Sequence, residues 1–241
     1  MRVALYFSPS PGGAWWRFGA RWLGRDPAWV RPGNAPGAAA YPAWPSQGWS
    51  EAQRTRLATE PRRYGFHATL VAPFRLAAGA RIEDVSDAAR DFAARHEAVR
   101  GVALHVSEEA GFVALRPAHA SPAVDALAFD AVRHFDPLRA PLDAAERERR
   151  ARGLDARQRQ LLDRWGYGRV ADQYRFHLTL TDKLDAAERT QAAEAARRVL
   201  AAQGLHAIDV DGLSIFVEGE DRVFRMVQWR ELAIRPGAAR P

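Results

Sequence analysis

Residues 62–70 read Arg-Arg-Tyr-Gly-Phe-His-Ala-Thr-Leu, and 110 positions after Tyr64 the stretch 174–180 reads Tyr-Arg-Phe-His-Leu-Thr-Leu. The two segments agree at the Tyr, Phe, His, Thr and Leu positions, in a chain that holds only 7 histidines. Self-similarity of this kind marks an internal repeat. Alternate residues of a strand face the same way. Tyr64, Phe66, Ala68 and Leu70 are therefore predicted to point into a core, with Gly65, His67 and Thr69 on the other face. In the second copy Tyr174, Phe176, Leu178 and Leu180 point inward, and Arg175, His177, Thr179 and Thr181 share the opposite face.

Each copy is followed by a helix and two candidate strands, so the repeated unit spans about 62–120 in the first instance and about 172–232 in the second. Apolar residues at i, i+3, i+4 and i+7 predict helices through Val85–Phe92, Val124–Ala131 and Ala192–Val199. Ser121-Pro122 has the form of a helix start, and Asp143…Glu146, Asp155…Gln158 and Asp185…Glu188 have capping-box spacing. Gly166 and Gly204 are natural stops. Strands are predicted at 2–8, 101–107, 111–116, 207–217 and 222–228, with Glu218–Asp221 as a hairpin turn. In the first of these Val3, Leu5 and Phe7 lie on one side and Ala4 and Tyr6 on the other. Trp15, Phe18 and Trp22 fit one face of a short helix. The prolines and glycines of 27–49 predict a long irregular loop.

The whole chain has 241 residues, is 47% hydrophobic and has no cysteine, which suits a folded body and excludes disulfides, thiolate nucleophiles and cysteine-ligated metals. No apolar run reaches membrane-spanning length and none has signal-peptide form, so a cytoplasmic protein with no membrane partner is expected. The formal charge is +6. That excess lies within residues 1–63, together with six of the 8 tryptophans, so residues 9–61 read as a Trp-rich basic arm and loop beside the first motif. The charged run Glu146–Arg164, with seven arginines and four acids, has Leu154, Leu161, Leu162 and Trp165 for a buried side and reads as a solvated helix face.

Two imidazoles and two hydroxyls brought to one cleft suit acid–base chemistry at phosphorus. One histidine takes a proton from water, the other gives one to the departing oxygen, and the threonines hold the phosphoryl oxygens. The histidines lack metal-ligand spacing, and neither a metal nor another cofactor is expected. Arg175, on the His177 face, is a candidate phosphate clamp, with a surface arginine at the strand entry as the alternative. Arg63 is a weaker candidate of the same kind. Tyr6 and Trp16 are candidate rings to stack on a sugar or base, the alternative being plain packing. His96, His105, His119, His134 and His206 show no partner pattern that implies chemistry.

The paired motifs resemble the two His-x-Thr motifs of the 2H phosphoesterase superfamily. Ala-Pro-Phe-Arg-Leu at 72–76, Trp-Arg-Phe-Gly at 16–19, Phe-Asp-Pro at 135–137 and Arg-Trp-Gly-Tyr at 164–167 are similar to a branch found with bacterial phosphonate-utilisation genes. The resemblance covers most of the chain. It implies an α+β, bilobal fold, a single domain over 1–241 with two pseudo-twofold-related lobes of antiparallel sheet plus helices around a central cleft. It also implies His67 and His177 as the acid–base pair, Thr69 and Thr179 as phosphate ligands, and no cofactor. The function implied is hydrolysis of a ribose cyclic phosphodiester. A phosphoribosyl 1,2-cyclic phosphate-like substrate in phosphonate metabolism is the first expectation and an RNA 2′,3′-cyclic phosphate the second. Association with phosphonate-degradation enzymes is a further implied partnership. Val71 departs from the branch, where lysine is common, and this bears on the substrate. A non-catalytic module that binds RNA or a phosphorylated metabolite is the rival from outside enzymology.

Overall fold

The computed structural model describes residues 1–28 and 49–233; most of the loop expected over 27–49 lies outside them. The architecture is α+β, with two four-stranded antiparallel sheets. The first has the order β2 (Ala68–Phe74), β1 (Val3–Phe7), β7 (Gly212–Glu218), β8 (Phe224–Glu231). The second runs β5 (Leu178–Thr179), β4 (Ala114–Pro117), β3 (Val99–Ser107), β6 (Ala207–Val210). Strands of both sequence repeats enter each sheet: the first motif's strand lies with the hairpin that follows the second motif, and the second motif's strand lies beside the pair that follows the first.

Strand β1 is buried on both faces, as its alternation requires. Val3, Leu5 and Phe7 enter the main core, while Ala4 and Tyr6 join Trp16, Phe216, Phe224 and Met226 in a second cluster. The predicted helices appear as α4 (Ile82–Arg95), α5 (Pro122–Phe135) and α8 (Ala186–Ala202), each burying the periodic apolar residues read from the sequence. Helix α7 (Ala156–Trp165) carries a complete capping box from Asp155 and Gln158 and stops at Gly166 in the left-handed conformation. Asp143 and Asp185 likewise cap α6 (Ala144–Ala151) and α8 through the Glu146 and Glu188 amides. The two glutamate side chains do not reciprocate: Glu188 pairs with Arg56, and Glu146 turns inward.

Three expectations about strands change. The strand through 64–70 begins only at Ala68, because helix α3 (Thr59–Tyr64) occupies the approach and ends at Gly65 with φ 77°. A side chain at Gly65 would be strained there and would meet Pro27 Cβ at 2.6 Å. Residues 174–177 belong to no strand, and only Leu178–Thr179 join a ladder. The strand expected over 207–217 divides at Asp211 into β6 and β7, which belong to different sheets. Gly212 makes the change of sheet sterically feasible, since any Cβ there would overlap the Trp229 indole.

Helix α1 (Ala14–Leu23) is buried on more than one side. Phe18 and Trp22 enter the main core and Trp16 the second cluster, while Trp15 donates to the Ala207 carbonyl at 2.8 Å. Helix α2 (Glu51–Leu57) brings Arg54 to the Arg21 carbonyl at 2.6 Å. Arg25 caps the Arg62 carbonyl at 2.6 Å and also reaches the Phe224 carbonyl. Arg25, Arg54 and Arg63 of the basic N-terminal stretch thus tie backbone segments together, while Arg2, Arg56 and Arg62 bond to side chains. Among the described residues no helix is long and apolar enough to cross a membrane.

Candidate active site

Tyr6 on β1 is paired directly with Thr69 on β2, so their side chains share a face with His67, which precedes the strand. The Tyr6 and His67 rings stack at 3.8 Å. His67 Nδ1 lies 2.8 Å from the Gly65 carbonyl. A carbonyl only accepts, so Nδ1 carries the hydrogen and the neutral ring presents a bare Nε2, with Thr69 Oγ1 3.4 Å away.

The second motif repeats this device on the other sheet. His177 Nδ1 donates to the Arg175 carbonyl at 2.8 Å, again two residues back, which fixes the same tautomer. Strand β5 pairs Leu178 with Leu115 and Thr179 with Ala114, and one further step of that register sets Arg116 opposite His177. His67 borders a cavity of about 520 Å³ and His177 one of about 290 Å³; Thr69, Tyr167 and Arg169 line both, so the two cavities adjoin.

Burial pushes the His67 imidazolium down to about 4, opposed by the Gly65 hydrogen bond and reinforced by His177. His177 is also lowered, first by burial and then by Arg116 and Arg169, against the Arg175 carbonyl. Both rings are therefore neutral at pH 7 in the unliganded cleft. A histidine whose pKa falls on folding binds fewer protons folded than unfolded, so its contribution to stability is fully present above about pH 6.5 and is progressively lost as the pH falls towards 4. Urea unfolding across that window is expected to show stability falling with acidity, with a smaller slope in His67→Gln.

The remaining predicted site residues divide. Arg175 lines the His177 cavity, its Nη1 donating to the Asp172 and Tyr174 carbonyls at 2.9 and 2.6 Å. Thr179 is half-buried in the β5 ladder and lines neither cavity. Thr181 does not face the cleft: it is buried, its hydroxyl accepting from the Val113 amide and donating to the Asp182 carbonyl. Tyr64 is not a core residue but lines the His67 cavity from the end of α3. Arg63 is no clamp, because Glu60 holds it at 2.9 Å and it donates to the Arg222 carbonyl. Trp16 is no stacking platform; it is buried and directs its indole N–H towards Asp26. Arg17, Arg21 and Arg25 line neither cavity.

The sequence reading missed the cations that do line the cleft. Arg149, Arg150 and Arg152, at the end of α6, and Arg169, beyond α7, border the His67 cavity with Arg2, Tyr64 and Tyr167. Reading Glu146–Arg164 as one solvated face concealed them, although its seven arginines outnumber its four acids and two of those acids sit elsewhere. Glu146 is 4% exposed, pairing with Arg150 at 2.7 Å and Arg75 at 3.1 Å, and Asp163 pairs with Arg147. Arg150 also donates to the Pro73 carbonyl at 2.7 Å, which fastens α6 to the end of β2. No carboxylate lines either cavity among the described residues. Nor do three or more His, Cys, Asp or Glu side chains gather there into a metal-binding group.

Residues 69–225, which include Thr69, His177 and the α6–α7 arginines, match the family described as Protein of unknown function (DUF1045). The chain belongs to this family. It is also 41% identical over 220 residues to a Laribacter hongkongensis protein named ribose 1,5-bisphosphate phosphokinase PhnN, covering 91% of this chain and 49% of that one. A protein of the same name from Janthinobacterium sp. (strain Marseille) is 41% identical over 184 residues, 76% of this chain and 39% of its own. The DUF1045 chain thus matches less than half the length of each of these curated relatives.

Proposed function

We propose that this DUF1045 protein is a 2H-type phosphoesterase that opens a cyclic phosphodiester on a ribose by two-histidine acid–base catalysis, without a metal. The observation that carries the reading is the pair of adjoining cavities, lined by no carboxylate among the described residues, in which His67 and His177 are held in the same tautomer by the same backbone device. The two sheets are read as the two halves of a bilobal body around that cleft.

His67 Nε2 takes a proton from water as the water oxygen attacks phosphorus. The bond from phosphorus to one ring oxygen breaks in line, and protonated His177 gives its Nε2 proton to that oxygen, leaving a phosphomonoester. The bound phosphate anion favours the charged imidazole, which offsets the burial that keeps His177 neutral in the empty cleft. Thr69, which borders both cavities, donates to a non-bridging oxygen. Arg175 and Arg116 supply positive charge beside His177.

The relatives' name supports a place among enzymes of ribose phosphates, in keeping with the phosphonate-linked resemblance. Their phosphokinase chemistry is left out of the proposal. These 241 residues contain one lysine, Lys183, and no Gly-x-x-x-x-Gly-Lys string to cradle nucleotide phosphates.

³¹P NMR of the purified protein with a ribose 1,2-cyclic phosphate and a nucleoside 2′,3′-cyclic phosphate, each with and without EDTA, tests the reading. Conversion of a cyclic signal to a monoester signal that persists in EDTA is expected. Failure to open either ring, or loss of turnover on chelation, overturns the proposal.

A further inference from the structure

We infer that Arg149, Arg152 and Arg169, with the Tyr167 hydroxyl, form a second anion site in the larger cavity, which takes a terminal phosphomonoester carried by the substrate in addition to the phosphorus between the histidines. The inference rests on the reading of His67 and His177 as the reacting centre. It adds a specificity element that the paired motif does not contain.

The positive charge in this cavity is unevenly committed. Arg2 is held by both Glu218 carboxylate oxygens at 2.7 and 2.6 Å, and Arg150 is spent on Glu146 and on the Pro73 and Gly166 carbonyls. These two are structural walls. Arg149 has Glu146 as its acidic partner only at 3.9 Å, and that carboxylate already serves Arg150 and Arg75. Arg152 and Arg169 have no acidic partner among the described residues. Two arginines without an acidic partner, and a third that shares Glu146 with two others, therefore stand around a space that no carboxylate lines among the described residues.

A cyclic phosphodiester brings a single negative charge, and Arg175, beside Arg116 with its Glu109 partner at 3.3 Å, already stands by the second histidine to meet it. A phosphomonoester carries about −1.5 to −2 at pH 7 and accepts several charge-assisted hydrogen bonds. That charge matches the surplus left by Arg149, Arg152 and Arg169. Arg149 and Arg152 stand three apart at the end of α6, and Arg169 reaches from the loop after α7 to line both cavities. Arg169 thus connects the surplus to the reacting centre. Burial raises the Tyr167 pKa, so its phenol stays protonated and remains a donor. A concave cavity of about 520 Å³ suits one compact phosphorylated sugar.

Two measurements test the site. The first compares kcat/KM for adenosine 2′,3′-cyclic phosphate with and without a 5′-phosphate. The wild-type protein is expected to prefer the phosphorylated ester by on the order of 10²-fold, and Arg152→Ala and Arg169→Ala are each expected to cut that ratio by roughly tenfold or more, with Arg→Lys restoring part of it. The second is calorimetric titration with ribose 5-phosphate against ribose, which needs no turnover. Ribose 5-phosphate is expected to bind more tightly than ribose, and the alanine variants to lose the difference. Equal handling of phosphorylated and plain compounds, or a preference that both variants retain, overturns the inference. If ribose 5-phosphate binding depends on these arginines but no cyclic ester is opened, the anion site stands and the hydrolytic reading falls.

Discussion

His67→Ala and His177→Ala are each expected to lower kcat against a cyclic phosphodiester by on the order of 10² to 10⁴, the range associated with loss of a positioned acid or base. The size follows from the shared geometry. Each Nδ1 is committed to a backbone carbonyl, so each ring has one nitrogen left for chemistry, and Thr69 Oγ1 stands 3.4 Å from that of His67. Because the two act on one phosphorus, the double variant is expected to be little worse than the more damaged single variant. His67 also stacks on Tyr6, which is 1% exposed, so His67→Gln serves as a control that keeps most of the side-chain volume. Circular dichroism would show that the fold survives. Full turnover in either alanine variant would remove that histidine from the mechanism.

Trp22→Ala is expected to destabilise the protein by about 3–5 kcal/mol, read as a lowered urea midpoint at unchanged slope. The Trp22 side chain is fully buried against Phe18 and Trp49, with ring centroids 5.8 and 5.1 Å away. Its indole N–H donates to the Leu180 carbonyl at 2.9 Å, the residue that follows β5. Truncation opens a cavity and leaves that carbonyl without this donor. The contact ties the N-terminal helix to the end of the second motif, so Trp22→Phe, which keeps most of the packing, is expected to cost less than Trp22→Ala. Equal losses would assign the effect to the hydrogen bond alone.

Local patterns were readable and long-range pairings were not. The alternation in Val3–Phe7, the periodic faces of α4, α5 and α8 and the aspartate caps depend on neighbours within a few positions. Nothing local states that β6 and β7 part at Asp211 into different sheets, or that strands of both repeats enter each sheet, because those arrangements depend on pairings such as Ala114 with Thr179 and Val3 with Val217, far apart in the chain. The repeat pointed to two histidines. The structure adds that they share a tautomer and border adjoining cavities. Arg63 was misread because its face in a supposed strand was weighed and its i, i+3 relation to Glu60 was not. The cleft arginines were overlooked for a different reason. Net charge over a helix says nothing about which face carries which sign, and burying Glu146 leaves Arg149 and Arg152 at a cavity the sequence does not reveal.

In the proposed reaction His67 and His177 serve one phosphoryl group. NMR titration of both imidazoles with a vanadate–nucleoside mixture, a mimic of the five-coordinate phosphorus, tests it most directly. Both histidine signals are expected to move together with one dissociation constant and a stoichiometry of one. Movement of one signal alone, or saturation of the two at different concentrations, would contradict a shared site.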